Sequence, residues 1–185
     1  MAQTPSNMLP LGTLAPDFKL TNTIDDKQVH LQDLKGTEGT VIMFICNHCP
    51  FVIHVNEALV AIANHYQNKG IQFIAISSND AVNYPQDAPD RMREHALNNG
   101  YPFPYLFDES QEVAKAYNAS CTPDLFVFNN DLKLVYRGQL DDSRPGNSIP
   151  VIGNDLRHAL ECLLNNKKNT NPQKPSIGCN IKWKE

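Results

Sequence analysis

The stretch Phe44-Ile45-Cys46-Asn47-His48-Cys49-Pro50 constrains this chain more than any other. An apolar, β-branched run from Thr40 to Ile45 reads as a strand, and it delivers two cysteines separated by two residues. Directly after Pro50, the residues Val52, Val55, Leu59, Ile62 and Tyr66 recur at helical spacing. Proline suits a first helical turn, where its missing N–H has no intrahelical acceptor in any case. At the start of a helix, unpaired N–H groups and the helix dipole favour negative charge, and the thiolate is the reactive form of cysteine. Strand, C-x-x-C and helix in succession therefore point to thiol chemistry on an α/β frame.

The rest of the composition narrows the alternatives. At 185 residues the chain is long enough for one domain with a substantial core. Its formal charge of −4, with no basic cluster beyond Lys167-Lys168, argues against a nucleic-acid surface. No apolar run approaches the length of a membrane span. Met1 to Gly12 lacks a charged segment followed by an apolar one, so a cytoplasmic location is expected. Five cysteines (Cys46, Cys49, Cys121, Cys162 and Cys179) are odd in number and too few for a disulfide-stapled scaffold.

Taken in order, residues 1 to 13 read as a loosely held polar arm. Ala15 to Leu20 alternates apolar and polar, Asp25-Asp26 turns, and Val29 to Leu31 returns, which predicts a hairpin. Asp33 to Gly36 reads as a helical turn closed by glycine. The helix after Pro50 is expected over 51–68, and Ile71 to Ile76 is apolar enough for a strand covered on both faces. A loop from Ser77 to Ala88 precedes a helix over 89–99, and Ser110 to Tyr117 reads as a short helix. Leu125 to Phe128 is a strand that turns at Asn129 to Asp131 into an antiparallel partner, Leu132 to Arg137. After a loop from Gly138 to Pro150, a helix runs to about residue 165 with Ile152, Leu156, Ala159 and Leu163 facing inward.

Three features occur in a telling order. Ala15-Pro16-Asp17-Phe18 with Leu31 and Asp33-Leu34-Lys35-Gly36 comes first, then the Cys46–Cys49 stretch, then Thr122-Pro123 ahead of Leu125-Phe126-Val127-Phe128. Together they resemble the thioredoxin-like superfamily, in its peroxiredoxin-like (AhpC/TSA) branch, over about residues 14 to 165. The resemblance implies a thioredoxin fold, a mixed central sheet flanked by helices, preceded by an N-terminal β-hairpin. It divides the chain into an arm (1–13), a thioredoxin-like domain (14–166) and a C-terminal tail (167–185). It also implies that Pro123 is cis and offers the Thr122 backbone to a substrate strand, a trans proline at a strand start being the alternative.

For function, the leading expectation is a thiol-disulfide oxidoreductase using Cys46 and Cys49. Cys46 is expected to be the exposed attacker and Cys49 the buried resolver, with Pro50, Thr122 and Pro123 supporting the site. His48 would lower the pKa of Cys46, and its resemblance to the histidine at that place in strongly oxidising periplasmic oxidases implies a potential more oxidising than that of thioredoxin. The branch's peroxidases carry P-x-x-x-T-x-x-C, with Cys49 at the peroxidatic place. Here Ile42 replaces the proline, Cys46 replaces the threonine, and no arginine stands near Pro123 to Leu125. A peroxide reductase with Cys49 attacking and Cys46 resolving is thus the second choice. Inert structural cysteines, or a copper-binding or delivery module using Cys46, Cys49 and His48 or His54, are further alternatives. Copper-delivery relatives space their cysteines C-x-x-x-C, which counts against the last.

Cys121 reads as a third redox thiol or as small apolar filler, and Cys162 as a packed helix residue. Ile181 and Trp183 alternate in the tail, so the tail should dock on its own body or on a partner subunit. Cys179 would then be a resolving thiol or merely pack. Tyr84 and Asp80 are solvated loop residues or rim the site, and Asp141, Asp142 and Arg144 are expected to pair on the surface. No cofactor and no resident metal are expected. The partners expected are a protein or small-molecule disulfide or peroxide as substrate, and a reductant such as thioredoxin or glutathione.

Overall fold

The computed structural model describes residues 3–184. In chain order its strands are β1 (Gln3–Pro5), β2 (Lys19–Asn22), β3 (Gln28–His30), β4 (Gly39–Phe44), β5 (Ile71–Ser77), β6 (Tyr105–Phe107), β7 (Cys121–Thr122), β8 (Asp124–Asn129), β9 (Leu134–Gly138) and β10 (Ile177–Asn180). The helices are α1 (Leu31–Leu34), α2 (Pro50–Gln67), α3 (Pro89–Asn98), α4 (Glu112–Ala116) and α5 (Asn154–Leu164). Seven strands form a mixed sheet in the order β3-β2-β6-β5-β4-β8-β9, parallel at β4–β5 and β5–β6 and antiparallel elsewhere. A second sheet, β1-β10-β7, joins the two ends of the chain to the segment before Pro123.

The central strands are buried on both faces, which is why they are apolar throughout. Their side chains alternate between two layers. Val41, Met43, Phe73, Ala75, Leu125 and Val127 face α2, α3 and α5, while Ile42, Phe44, Ile74, Ile76, Phe126 and Phe128 face α4 and Tyr117. Each of the larger side chains among them contributes about 1.5–3 kcal/mol on burial. The inward face of α2 consists of Val52, Val55, Leu59, Ile62 and Tyr66, as its spacing predicts, together with Asn56 and Ala63. That helix stops at Asn68 because Gly70 turns the chain at φ +81 before β5 begins.

Several elements depart from the sequence expectation. The arm is not loosely held over its described residues, because β1 pairs with β10. The first hairpin strand starts at Lys19 rather than Ala15; Leu14 instead bridges to Lys133, and the N–H of Ala15 reaches Leu132 O. Ile152 lies outside α5 and is about half exposed, because the helix begins only after Gly153 turns at φ +72. Asp141 is buried rather than superficial, and it accepts the N–H groups of Ser143, Ile152 and Gly153 at the entry to α5. Asp142 pairs with Lys174, and Arg144 folds back on Gln139 and the carbonyl of Asp141.

Candidate active site

The strand β4 ends at Phe44, and the N–H of Ile45 still reaches Ile76 O at 3.0 Å, so the chain arrives at Cys46 under the control of the sheet. Cys49 is extended (φ −72, ψ 120) and caps α2, with Pro50 as the first helical residue. The two residues between the cysteines are held as firmly. Asn47 donates its backbone N–H to Asp87 Oδ1 at 2.8 Å and its side chain to Gln86 O at 2.9 Å, and it accepts from Tyr105 OH at 3.1 Å. His48 Nδ1 lies 2.7 Å from Asp87 Oδ2, and its ring stacks on Tyr84 with the planes 4° apart.

Opposite stands the segment carrying Pro123. The Thr122-Pro123 peptide is cis, as expected. Thr122 touches both cysteines: its Oγ1 lies 3.4 Å from Cys46 Sγ, and its carbonyl oxygen lies 3.1 Å from Cys49 Sγ. A buried ion pair beneath fixes this segment. Arg137 Nη2 lies 3.0 Å from Asp124 Oδ2 and 2.8 Å from Asn118 O, its guanidinium covers the Phe126 ring at 4.3 Å, and Asp124 also accepts the N–H of Ser120.

Cys46 is not the exposed thiol that the sequence predicts. It is 1% exposed and Cys49 is wholly buried. Nor does the negative charge belong on Cys46. Its hydrogen bond to Cys49, its burial and the nearby Asp87 carboxylate all push the Cys46 thiol well above the usual thiol range. The same hydrogen bond from Cys46 draws Cys49 down to about 4, against the effect of burial. The two thiols are coupled, and the opposite shifts favour negative charge on the sulfur at the helix N-terminus. His48 is thus the partner of Asp87 first, rather than the residue that lowers the pKa of Cys46.

Asp87, within the loop read over Ser77 to Ala88, is the residue that sequence reasoning missed. It is fully buried; burial alone would raise its pKa, but His48, Asn79 and the N–H of Asn47 together hold it below the usual carboxylate range. The signal for it was present, since the loop after β5 leaves the C-terminal end of a parallel strand, where crevices form. Of the two loop residues singled out, Tyr84 rims the site through His48, whereas Asp80 caps its own turn at Val82 and Asn83. Cys46, His48 and Asp87 also bring a thiol, an imidazole and a carboxylate within 4.8 Å of one another, a donor set that a cation would accept. Neither Cys49 nor His54 belongs to that set, and His54 instead contacts Ser143 Oγ at 2.7 Å.

The remaining cysteines separate. Cys121 is buried and its Sγ contacts Pro123 O at 3.6 Å. Cys162 is part-exposed on α5, 3.6 Å from His158 Nε2. Cys179 joins Cys46 and Cys49 in the same core cluster.

A model of the AhpC/TSA family matches residues 11–137. The chain belongs to the AhpC/TSA family. Within the match lie the cysteine pair, Asp87 and the Thr122-Pro123 segment, whereas β10 lies beyond it. The chain is 26% identical over 124 residues to the thiol-disulfide oxidoreductase ResA of Bacillus subtilis, which is 67% of this chain and 64% of that protein. It superposes with a TM-score of 0.98 on the crystal structure of an uncharacterized conserved protein from Geobacillus kaustophilus, at 60% identity, covering 100% of this chain and 97% of that one. The thioredoxin domain of a thiol-disulfide oxidoreductase from Bacteroides vulgatus aligns with a TM-score of 0.62 at 16% identity, over 81% of this chain and 97% of that one, which shows the thioredoxin fold.

Proposed function

We propose that this chain is a thiol-disulfide oxidoreductase acting through Cys46 and Cys49. The carrying observation is the hydrogen-bonded thiol pair at the N-terminus of α2, with its charge on Cys49 and Thr122 contacting both sulfurs. In the reducing direction the Cys49 thiolate attacks one sulfur of a substrate disulfide. A mixed disulfide forms and the other substrate sulfur leaves as a thiolate. Cys46 then attacks Cys49 Sγ, closing the Cys46–Cys49 disulfide and releasing the second substrate thiol. A proton for a leaving thiolate is available from Cys46 itself. A stabilised thiolate stabilises the reduced pair, which supports a potential more oxidising than that of thioredoxin. A disulfide as substrate, a small thiol or thioredoxin as reductant and a cytoplasmic location complete the proposal. The resemblance of the chain to ResA supports the reaction class.

One observation favours a second reading, peroxide reduction at Cys49. The Cys46 thiol bonds to Cys49 much as a hydroxyl at that place would, and Cys49 is the ionised sulfur. Against it, Arg137 is committed to Asp124 and Asn118 O, so it supplies no cation beside Cys49. Insulin reduction and peroxide consumption, measured side by side on the wild type and on Cys46→Ser and Cys49→Ser, separate the two. Disulfide exchange lost in both variants supports the first reading. Rapid peroxide consumption without disulfide exchange would establish the second. Titration against glutathione fixes the potential, and a value at or below that of thioredoxin removes the oxidising proposal.

A further inference from the structure

The edge of β7 that a partner strand would use is already taken by the chain's own tail. β10 pairs antiparallel with β7, and Cys179 stands opposite Thr122 in that register. Thr122 is also the residue that touches Cys46 through its hydroxyl and Cys49 through its carbonyl. One threonine thereby gathers three thiols, and Cys49 and Cys179 are hydrogen-bonded to each other. The register is built in by Gly178: a Cβ there would come within 1.9 Å of Thr122 O, so only glycine lets the strand approach this closely. Beyond β10 the tail stays attached, with the N–H of Lys182 on Asn79 Oδ1 and its carbonyl receiving Asp80 N–H and Gln111 Nε2. Asn79 donates in turn to Asp87, which ties the tail to the His48 side of the site.

We propose that β10 is an internal substrate strand and that Cys179 is a third redox thiol, which exchanges with the Cys46–Cys49 disulfide. The inference rests on the dithiol reading above. Cys179 loses its proton and its sulfur attacks Cys49 Sγ. A Cys49–Cys179 bond forms, the Cys46–Cys49 bond breaks, and Cys46 leaves with the electron pair and takes up a proton. The proton that Cys179 gives up balances the one that Cys46 takes up, and the Thr122 hydroxyl lies 3.4 Å from Cys46 Sγ. One disulfide and one thiol stand on each side of the step, so no outside oxidant or reductant enters it. Burial and the neighbouring Cys49 push the Cys179 thiol up to about 12. Exchange therefore awaits the oxidised state, in which the charge on Cys49 is gone.

The test is disulfide mapping of the full chain by non-reducing peptide mass spectrometry after equilibration with oxidised glutathione. The wild type is expected to yield both the Cys46–Cys49 peptide and a Cys49–Cys179 cross-linked peptide. In Cys46→Ser the cross-linked peptide should become the main product, and Gly178→Val should lose it while retaining the Cys46–Cys49 disulfide. A Cys46→Ser protein that ends as a glutathione adduct on Cys49, with Cys179 still reduced, overturns the proposal and leaves the dithiol reading intact. A wild type that never forms the Cys46–Cys49 disulfide overturns the dithiol reading itself, and is recognised from a different peptide.

Discussion

Asp87 holds the backbone of Asn47: its Oδ1 accepts the Asn47 N–H at 2.8 Å, across 40 residues of chain. Its other oxygen faces His48 and accepts from Asn79, so one buried carboxylate sets the geometry between the two cysteines. Asp87→Asn should lower stability by about 1–3 kcal/mol, the cost of an unmatched buried polar group. The acid limb should report it as well. The folded-state pKa of Asp87 lies below its unfolded value, so its stabilisation is complete above the unfolded pKa and is lost as pH falls through the folded one. Chemical denaturation as a function of pH should show the wild type weakening below about pH 4, and the Asn variant losing less over that range.

Cys46→Ala should raise the pKa of Cys49, because the thiol hydrogen bond that draws it down to about 4 is removed. Thiolate absorbance of the reduced protein checks this. The wild type should hold one thiolate per chain at pH 6, and the alanine variant should need a more alkaline pH to form it. An unmoved titration would place the stabilisation in the helix N-terminus alone.

Asp124→Ala should destabilise the fold by about 3–5 kcal/mol, because it strands the wholly buried guanidinium of Arg137. Pairing the charges away in Asp124→Leu with Arg137→Met should recover much of that loss, since two apolar side chains leave no buried charge uncompensated. Equilibrium unfolding of the single and double variants measures both.

Cys121→Ser should retain disulfide exchange at close to the wild-type rate. Its sulfur contacts Pro123 O rather than the pair, and burial pushes its thiol far above the usual range, so it supplies no nucleophile at neutral pH. Insulin reduction by the variant checks this, and a tenfold or greater loss would make Cys121 a redox thiol.

Much of the fold was legible because its signals are local. The apolar, β-branched run from Thr40 to Ile45 and the helical spacing after Pro50 each depend on neighbours a few residues away. The short pairings were not legible in this way. β1 has three residues and β10 has four, too few for a period, and each is a strand only because the other lies beside it. Ile152 shows the opposite failure: its spacing suits the α5 face, but Gly153 starts the helix one residue too late to carry it inward.

By itself, the sequence determined that two thiols would meet at the head of a helix, facing a proline segment on an α/β sheet. Adjacent residues and chain order suffice for that. Only the tertiary structure decided which thiol holds the charge, what covers the pair, and which acid serves His48. The hydrogen bond from Cys46 lowers the Cys49 pKa, Asp87 opposes charge on Cys46, and β10 sets Cys179 opposite Thr122 beside the pair. These outcomes depend on electrostatics and strand pairing between residues far apart in the chain, where no local propensity acts.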